Sequence, residues 1–239
     1  MLQRFLKPYP LCFSLCLLPL LGIVIDMMFD NLGADPIQAL HIRLGDWSLR
    51  LLWLTLFITP LQKITQWRGM AQYRKLLGLY TFFYASLHVI VYLWLDQGLA
   101  WAAITTDIIE SSYIWFGVTA YLIILALAVT TPKAMVKLLG KNWKKLHRYI
   151  YIASGAVIIH YYWQLKGNMA EPLFYLIILS LLLLFRLAVW FKNRQFTKMM
   201  IPTTRKIRVV KADAVRVDQT LAGRSKGIVI EEIDSDIET

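Results

Sequence analysis

Two histidines, His88 and His160, lie inside apolar stretches of the chain, LYTFFYASLHVIVYLWL and YIYIASGAVIIHYYW. An ionisable side chain is costly inside a lipid-embedded helix, so such a residue usually has a function. Imidazole is a good ligand for metal ions and for heme iron. A third histidine, His147, lies thirteen residues before His160 on the same expected helix. The types and spacing of these residues therefore predict a metal or heme site within a membrane.

The composition indicates which elements must position these side chains. The 239 residues are 58% hydrophobic, with a mean hydropathy of +0.52, which is too apolar for an ordinary soluble domain. A helix needs about 20 apolar residues to cross about 30 Å of hydrocarbon. Six segments reach that length and predict an all-α membrane protein with a six-transmembrane-helix bundle in the lipid bilayer: 10–29, 47–64, 76–95, 113–131, 147–165 and 172–191.

The formal charge of +11 is concentrated in alternate connections between these segments. Lys and Arg residues precede the first segment, join the second to the third and the fourth to the fifth, and follow the sixth, whereas the other loops are acidic. The positive-inside rule then places both termini in the cytoplasm. Because the positive charges follow topology, they do not indicate a nucleic-acid partner. The acidic outer loops either steer a basic protein partner or simply obey the same rule.

His88 and His160 are expected at the same depth in the membrane. Their helices both run from the inside to the outside, and each histidine comes thirteen residues after a residue near the inner surface. At 1.5 Å per residue, each lies roughly 20 Å along its helix, in the outer half. Two imidazoles at one level on neighbouring helices suit axial ligation of a heme iron. We also expect the second nitrogen of each ring to bind a protein group that fixes the ring and tunes its basicity.

The position of His147 does not clearly predict a heme ligand. Around a straight helix, thirteen residues leave His147 and His160 roughly 140° apart, unless local overwinding or a bend near Ser154 reduces the angle. The inner positions of the third helix hold Arg74 and Lys75, which are not ordinary iron ligands. His147 is therefore either a ligand of a second heme or an interfacial polar residue.

The sequence predicts no metal-binding role for the remaining histidine, an arginine in an apolar segment and the two cysteines. His41 lies in the outer sequence LHIRLGDW and is expected to be a solvated loop histidine. Arg186 lies in LLLLFRLAVWFKNR and is expected either to extend to the inner surface or to pair with a propionate or phosphate. The two cysteines, Cys12 and Cys16, predict neither a disulfide framework nor a thiolate metal site.

The chain changes character after the sixth segment. We divide it into a transmembrane domain, residues 1–195, and a polar cytoplasmic tail, residues 196–239. Short alternating stretches in the tail either pair as a hairpin or form a partly ordered extension. No GxGxxG motif follows a strand pattern, and the tail has no room for a nucleotide-binding domain. We therefore expect electrons or substrate to come from another molecule.

Several segments around the histidines resemble one family. They are NLGADP at 31–36, FITPL at 57–61, YRKLLGLYTFFYASLH ending at His88, LALAVTTPKAM at 125–135, LGKNWKKLHRYIYI carrying His147, and IHYYW carrying His160. Together they are similar to the ferric-reductase-like transmembrane domain and, within it, to the MsrQ (YedZ) family of heme-binding subunits. The resemblance covers about residues 30 to 195 and does not explain the tail.

The resemblance implies a b-type heme protein (heme b) of the bacterial cell inner membrane. Such a protein passes electrons from the quinone pool to a periplasmic molybdopterin-containing methionine sulfoxide reductase, the catalytic subunit that repairs oxidised methionines. The chain is then an electron-transfer subunit rather than a stand-alone catalyst. The family's heme positions match His88, His147 and His160. Two-heme relatives carry an inner histidine on the third helix as well, which this chain lacks, so the number of hemes stays open.

The resemblance also implies flavin mononucleotide (FMN). We expect a flavin phosphate near Arg74 and Lys75, with Lys144 or Arg148 as further candidates, because guanidinium and ammonium groups bind phosphate.

Two other functions fit the buried histidines. One is direct reduction of ferric ions, which requires an accessible outer chelate site and no protein partner. The other, from a different class, is a transporter or proton channel in which His88 and His160 relay protons. Such transporters usually contain broken helices or inverted repeats, and the sequence shows neither pattern.

Overall fold

A computed structural model of the chain describes residues 8–67, 69–165 and 170–200. Within these ranges the regular structure is helical and contains no strand, which confirms the all-α prediction. Arg68 and the tail from residue 201 onward lie outside the described residues. So do Arg4 and Lys7, on which the expected orientation of the first helix depends.

The described helices follow one another with short connections. In chain order they are α1 (Pro8–Met28), α2 (Pro36–Thr65), α3 (Met70–Ile90), α4 (Trp101–Glu110), α5 (Ser112–Val129), α6 (Lys133–Leu139), α7 (Lys141–Leu146), α8 (Ile150–Gln164) and α9 (Ala170–Met200). Two irregular segments adjoin them: α3 continues as a π-helix, Val91–Asp96, and a 3-10 turn, His147–Tyr149, precedes α8.

In the part of the chain that the structure describes, four helical stretches are long and apolar enough to cross a membrane: Tyr9–Met28, Met70–Asp96, Ser112–Val129 and Ala170–Lys192. The other two predicted segments fall on α2 and on the 3-10 turn with α8. The 30 residues of α2 extend about 45 Å, although charged residues interrupt its outer part. The 15 residues of α8 extend roughly 22 Å, so the preceding turn must supply the remaining length.

The early start of α2 has a local cause. The carboxylate of Asp35 accepts a hydrogen bond from the backbone N–H of Gln38 at 2.9 Å, which caps the first turn. Pro36 follows in the first turn, where a missing N–H leaves no helical bond unmade. The helix therefore begins eleven residues before the predicted segment 47–64 and carries the outer sequence with it.

Two helix pairs form the centre of the bundle. α2 packs along α3, α5 packs along α8, and α3 joins the pairs by contacting α5. α1 covers the first pair, where Cys16 and Ile23 belong to the same buried cluster as Leu44 and Leu77. α9 covers the other side, and its buried leucines cluster with residues of α2 and α8. Many large apolar side chains of α1 and α9 are exposed, which suits helices surrounded by lipid chains.

Tyr84 attaches α1 to α3 through its hydroxyl group, and its side chain is fully buried. The hydroxyl donates to the carbonyl oxygen of Cys16 at 2.8 Å and accepts from the N–H of Leu20 at 3.1 Å. Those two groups are four residues apart, the spacing of a helical hydrogen bond. The hydroxyl thus lies within the hydrogen-bond ladder of α1 beside Pro19, which itself has no N–H to donate.

Arg186 attaches α9 to the rest of the bundle. Its guanidinium donates to the hydroxyl of Tyr151 and to the carbonyl oxygen of Leu56, the latter at 2.6 Å, and it lies 4.9 Å from the centre of the Tyr151 ring. The side chain therefore binds groups inside the bundle. The expectation that it extends to the inner surface is wrong, because a hydroxyl, a carbonyl and an aromatic face are available closer to the backbone.

Candidate functional site

His88 on α3 and His160 on α8 lie next to each other. Their ring centroids are 6.4 Å apart and the ring planes stand at 89°. Both side chains are partly buried. His88 lies near the end of α3, three residues before the start of a π-helix, a local irregularity that often occurs at functional sites. The structure thus brings together the two residues that the sequence placed at one depth.

Both rings are fixed by the same type of hydrogen bond. Nδ1 of His88 lies 2.9 Å from the carbonyl oxygen of His41, and Nδ1 of His160 lies 2.9 Å from the carbonyl oxygen of Tyr113. A carbonyl oxygen only accepts, so Nδ1 carries the proton in each ring. In a neutral imidazole the lone pair of Nε2 is then available to a metal ion. The expected hydrogen bond to the second ring nitrogen is present in both cases.

Each ring also lies against a glycine of the helix that accepts its hydrogen bond. A Cβ atom on Gly45 would lie 3.1 Å from Cε1 and Nδ1 of His88. A Cβ atom on Gly117 would lie 2.8 Å from Nδ1 and 2.9 Å from Cε1 of His160. The sequence analysis did not predict a role for these two glycines. The available signal was a glycine four residues after the accepting residue, in HIRLG at 41–45 and YIWFG at 113–117.

His41 is not the solvated loop residue that we expected. It lies within α2, is partly buried, and its ring stacks on His88 with centroids 3.9 Å apart and planes at 9°. His41 lies in the helix because the Asp35 cap and Pro36 start α2 before residue 41. His41 therefore contributes its carbonyl oxygen and one ring face to the surroundings of His88.

The distance between the two rings fits one iron ion. Metal–imidazole bonds are about 2 Å long and a ring nitrogen lies about 1 Å from the ring centre, so two imidazoles on one ion have centroids about 6 Å apart. The observed separation is 6.4 Å. Two axial imidazoles complete the coordination of an iron whose other four ligands come from a porphyrin. His88 and His160 are thus suited to hold a heme.

His147 lies apart from this pair. It begins the 3-10 turn before α8, so the overwinding considered from the sequence occurs at His147–Tyr149. Its Nδ1 lies 3.2 Å from the carbonyl oxygen of Trp143, and its ring stacks on the Trp143 ring with centroids 4.0 Å apart. Thirteen residues of helix, about 20 Å, separate it from His160. The structure therefore does not bring His147 to His88 and His160.

Arg74 and Lys75 lie in the first turns of α3, and both side chains are exposed. Arg74 lies close enough to His147 and Arg186 for an electrostatic interaction with each, so these groups lie at the same end of the bundle. Exposed cations can bind a phosphate group without first breaking an internal ion pair. The arrangement suits a negatively charged ligand at that end.

One family profile matches the chain. It is described as "Ferric reductase like transmembrane component" and aligns with residues 44–159. The matched range contains His88, His147 and both glycines, and it ends one residue before His160.

Curated relatives extend the match over more of the chain, and each is named "Protein-methionine-sulfoxide reductase heme-binding subunit MsrQ". The relative from Xanthomonas campestris pv. campestris (strain B100) is 44% identical over 161 residues, 67% of this chain and 73% of the relative. That from Azospira oryzae is 37% identical over 207 residues, 85% and 89% of the two chains. That from Rhodospirillum rubrum is 39% identical over 184 residues, 77% and 88%. The chain therefore belongs to the MsrQ family, within the ferric-reductase-like transmembrane proteins.

Proposed function

We propose that this chain is a b-type heme subunit that transfers electrons from the quinone pool of the inner membrane to a periplasmic methionine sulfoxide reductase. The acceptor in this proposal is the molybdopterin-containing catalytic subunit that repairs oxidised methionines. The name shared by the relatives supports both heme binding and the reductase system. The observation that carries the proposal is the pairing of His88 and His160, with each Nδ1 bound to a carbonyl and each Nε2 available to iron.

His88 and His160 are the proposed axial ligands. A heme held by these two imidazoles would supply one-electron chemistry, with no open position for oxygen or substrate. The carbonyl groups of His41 and Tyr113 hold the rings in place and increase the electron density on Nε2, which favours the ferric form. The apolar helices around the rings exclude water from the site.

The site lies in the outer half of the membrane in the proposed topology, which has six spans and both termini in the cytoplasm. The π-helix and α4 follow His88 on that side, and the hydroxyl of Tyr92 binds Asp107 at 2.7 Å to connect them. An outer position suits delivery to a soluble periplasmic partner. Asp96, Asp107 and Glu110 give this end negative charge that would steer a partner with a basic patch.

Electrons would enter at the opposite end. Arg74 and Lys75 are the proposed phosphate ligands of FMN at the inner surface, and His147 lies within range of the charge of Arg74. FMN bound there would supply both two-electron and one-electron chemistry, which suits a site between a quinol donor and a one-electron carrier.

The heme assignment is tested on protein purified in lipid nanodiscs. We expect a Soret band in the wild type and its loss in His88→Ala and in His160→Ala, because either change removes an axial ligand. Phe83→Ala and Tyr162→Ala are matched controls, since each removes a large exposed side chain from the same helix. Full heme content in the histidine variants would overturn the assignment.

The partner is tested with reduced membranes containing the protein. Oxidation of the heme should follow addition of the methionine sulfoxide reductase and its substrate, and a ferric chelate should be a poor acceptor. Rapid oxidation by the chelate with no response to the reductase would instead favour direct ferric reduction, the activity named in the matching family description.

A further inference from the structure

We infer that Gly45 and Gly117 are positioning residues for the two proposed heme ligands, because each lets an imidazole reach a carbonyl group inside a neighbouring helix. The inference rests on the proposed function, since it concerns how His88 and His160 are held. Neither glycine would touch the iron. Their role would be to fix the direction in which Nε2 of each ring points.

The geometry of an α-helix places each accepting carbonyl group beside its glycine. The carbonyl group of residue i normally accepts from the N–H of residue i+4. His41 and Gly45 have this relationship within α2, so the carbonyl that binds Nδ1 of His88 lies beside the α-carbon of Gly45. A ring from another helix must pass that α-carbon to reach the oxygen. A Cβ there would be 3.1 Å from two ring atoms, closer than ordinary van der Waals contact.

The site around His160 has the same arrangement, with less space between the ring and the glycine. Tyr113 and Gly117 are four residues apart in α5, and the carbonyl of Tyr113 binds Nδ1 of His160. A Cβ on Gly117 would approach the ring to 2.8 Å, so the ring would have to move. It cannot move and keep both its hydrogen bond and its proposed bond to iron. The effect of an added methyl group is therefore greater at Gly117 than at Gly45.

The same arrangement of accepting carbonyl, glycine and histidine occurs at both sites, and the equivalent residues form three pairs. His41 and Tyr113, Gly45 and Gly117, and His88 and His160 are each 72 residues apart. Each histidine is accordingly 47 residues after the residue whose carbonyl it binds. The first set joins α2 to α3 and the second joins α5 to α8, the two most closely packed helix pairs. Accidental close packing would not place the accepting residue, the glycine and the ligand at the same offset.

Other helical glycines in the described residues do not share the feature. A Cβ on Gly78 of α3 would lie 3.7 Å from a methyl group of Thr55, which is ordinary contact, and a Cβ on Gly155 of α8 would meet nothing within 4 Å. Glycine is a poor helix former, so an alanine would fit the helix itself at least as well at all four positions. At Gly45 and Gly117 the three nearest atoms to an added methyl group all belong to the histidine ring.

The test compares Gly45→Ala and Gly117→Ala with Gly78→Ala and Gly155→Ala, which lie on the same helices as the two ligands. Heme loss to an excess of a soluble heme scavenger is timed, and the ferric spectrum and midpoint potential are recorded. We expect heme loss to be faster by roughly 10- to 100-fold in the Gly117 variant, the range typical of a lost outer hydrogen bond to a metal ligand. The midpoint potential should rise in both site variants, and the two controls should match the wild type.

The outcomes separate this inference from the proposed function. If His88→Ala and His160→Ala retain heme, the ligand assignment itself is wrong. If those variants lose heme while Gly45→Ala and Gly117→Ala behave like the controls in loss rate, spectrum and potential, the ligands stand and only the glycine inference is overturned.

If Gly117→Ala fails to accumulate in membranes, a second variant shows whether the clash with the His160 ring is the cause. Removing the ring removes the clash, so His160→Ala combined with Gly117→Ala should accumulate in membranes to the level of His160→Ala alone. A double variant that remains absent would show that Gly117 is needed for another reason, and it would overturn the inference at that position.

Discussion

The imidazole planes of His88 and His160 are perpendicular, at 89°, across a centroid distance of 6.4 Å. The two orientations have separate origins, because one ring is held by a carbonyl of α2 and the other by a carbonyl of α5. Each ring is thus oriented by its own helix pair, and the protein sets the angle between them through backbone groups.

The ferric protein should give a highly anisotropic low-spin EPR signal with one dominant large g value. Perpendicular axial imidazoles leave two iron d orbitals nearly equal in energy, and this near-equality produces the anisotropy. Frozen-solution EPR of the purified wild type checks the prediction. An ordinary rhombic signal, as from parallel imidazoles, would contradict the observed ring angle.

His147→Ala should retain the heme proposed at His88 and His160, because the hydrogen bond and the ring contact described for His147 are with Trp143. Heme stoichiometry and flavin content are measured together on the purified variant. Loss of half the heme would make His147 a ligand of a second heme. Unchanged heme with reduced flavin would place His147 in the surroundings of the inner ligand.

Arg74→Gln and Lys75→Gln should lower flavin content several-fold without changing heme content. Each change removes a positive charge and a phosphate donor at the inner end, far from the outer histidine pair. Lys137→Gln is the matched control, since Lys137 belongs to α6, at the same cytoplasmic side in the proposed topology. Equal flavin loss in all three variants would indicate a general charge effect.

His41→Ala should keep the heme but change its environment. The backbone carbonyl that binds Nδ1 of His88 remains, whereas the stacked ring, 3.9 Å from the His88 ring, is lost. The space opened beside His88 admits water, so the midpoint potential should shift while heme content stays at the wild-type level. His41→Phe restores an aromatic face and should return the potential toward that of the wild type. Loss of heme in His41→Ala would assign the side chain a larger role.

Tyr84→Phe should destabilise the bundle by about 1–3 kcal/mol, the cost of leaving buried polar groups without a partner. The change removes the hydroxyl that binds the carbonyl of Cys16 and the N–H of Leu20 in α1. Thermal unfolding in detergent, followed by circular dichroism, measures the effect. Tyr162→Phe is the control because that side chain is 43% exposed, and it should unfold with the wild type.

The sequence was sufficient to predict the helical class and the meeting of His88 with His160, because hydropathy and charge bias fix segments and depth. It also led us to expect a partner for the second nitrogen of each ring, without naming His41 or Tyr113. The predicted location of His41 in a loop was wrong because the surrounding sequence is polar, whereas the Asp35 cap starts α2 before that residue. The role of Gly45 was missed because only the packing of α3 on α2 shows which ring passes that glycine.

The offset of 72 residues that relates Gly45 to Gly117 has a consequence at the inner end. The same offset takes Lys75 to His147, so the two helix pairs match at the level of the outer histidines and differ below it. Each of the two helix pairs, α2 with α3 and α5 with α8, thus supplies one histidine to a single site. At the corresponding lower position one pair has the imidazole of His147 and the other has the ammonium group of Lys75, so a second bis-histidine heme would lack one ligand, whereas a cation there suits the flavin phosphate of the proposed function.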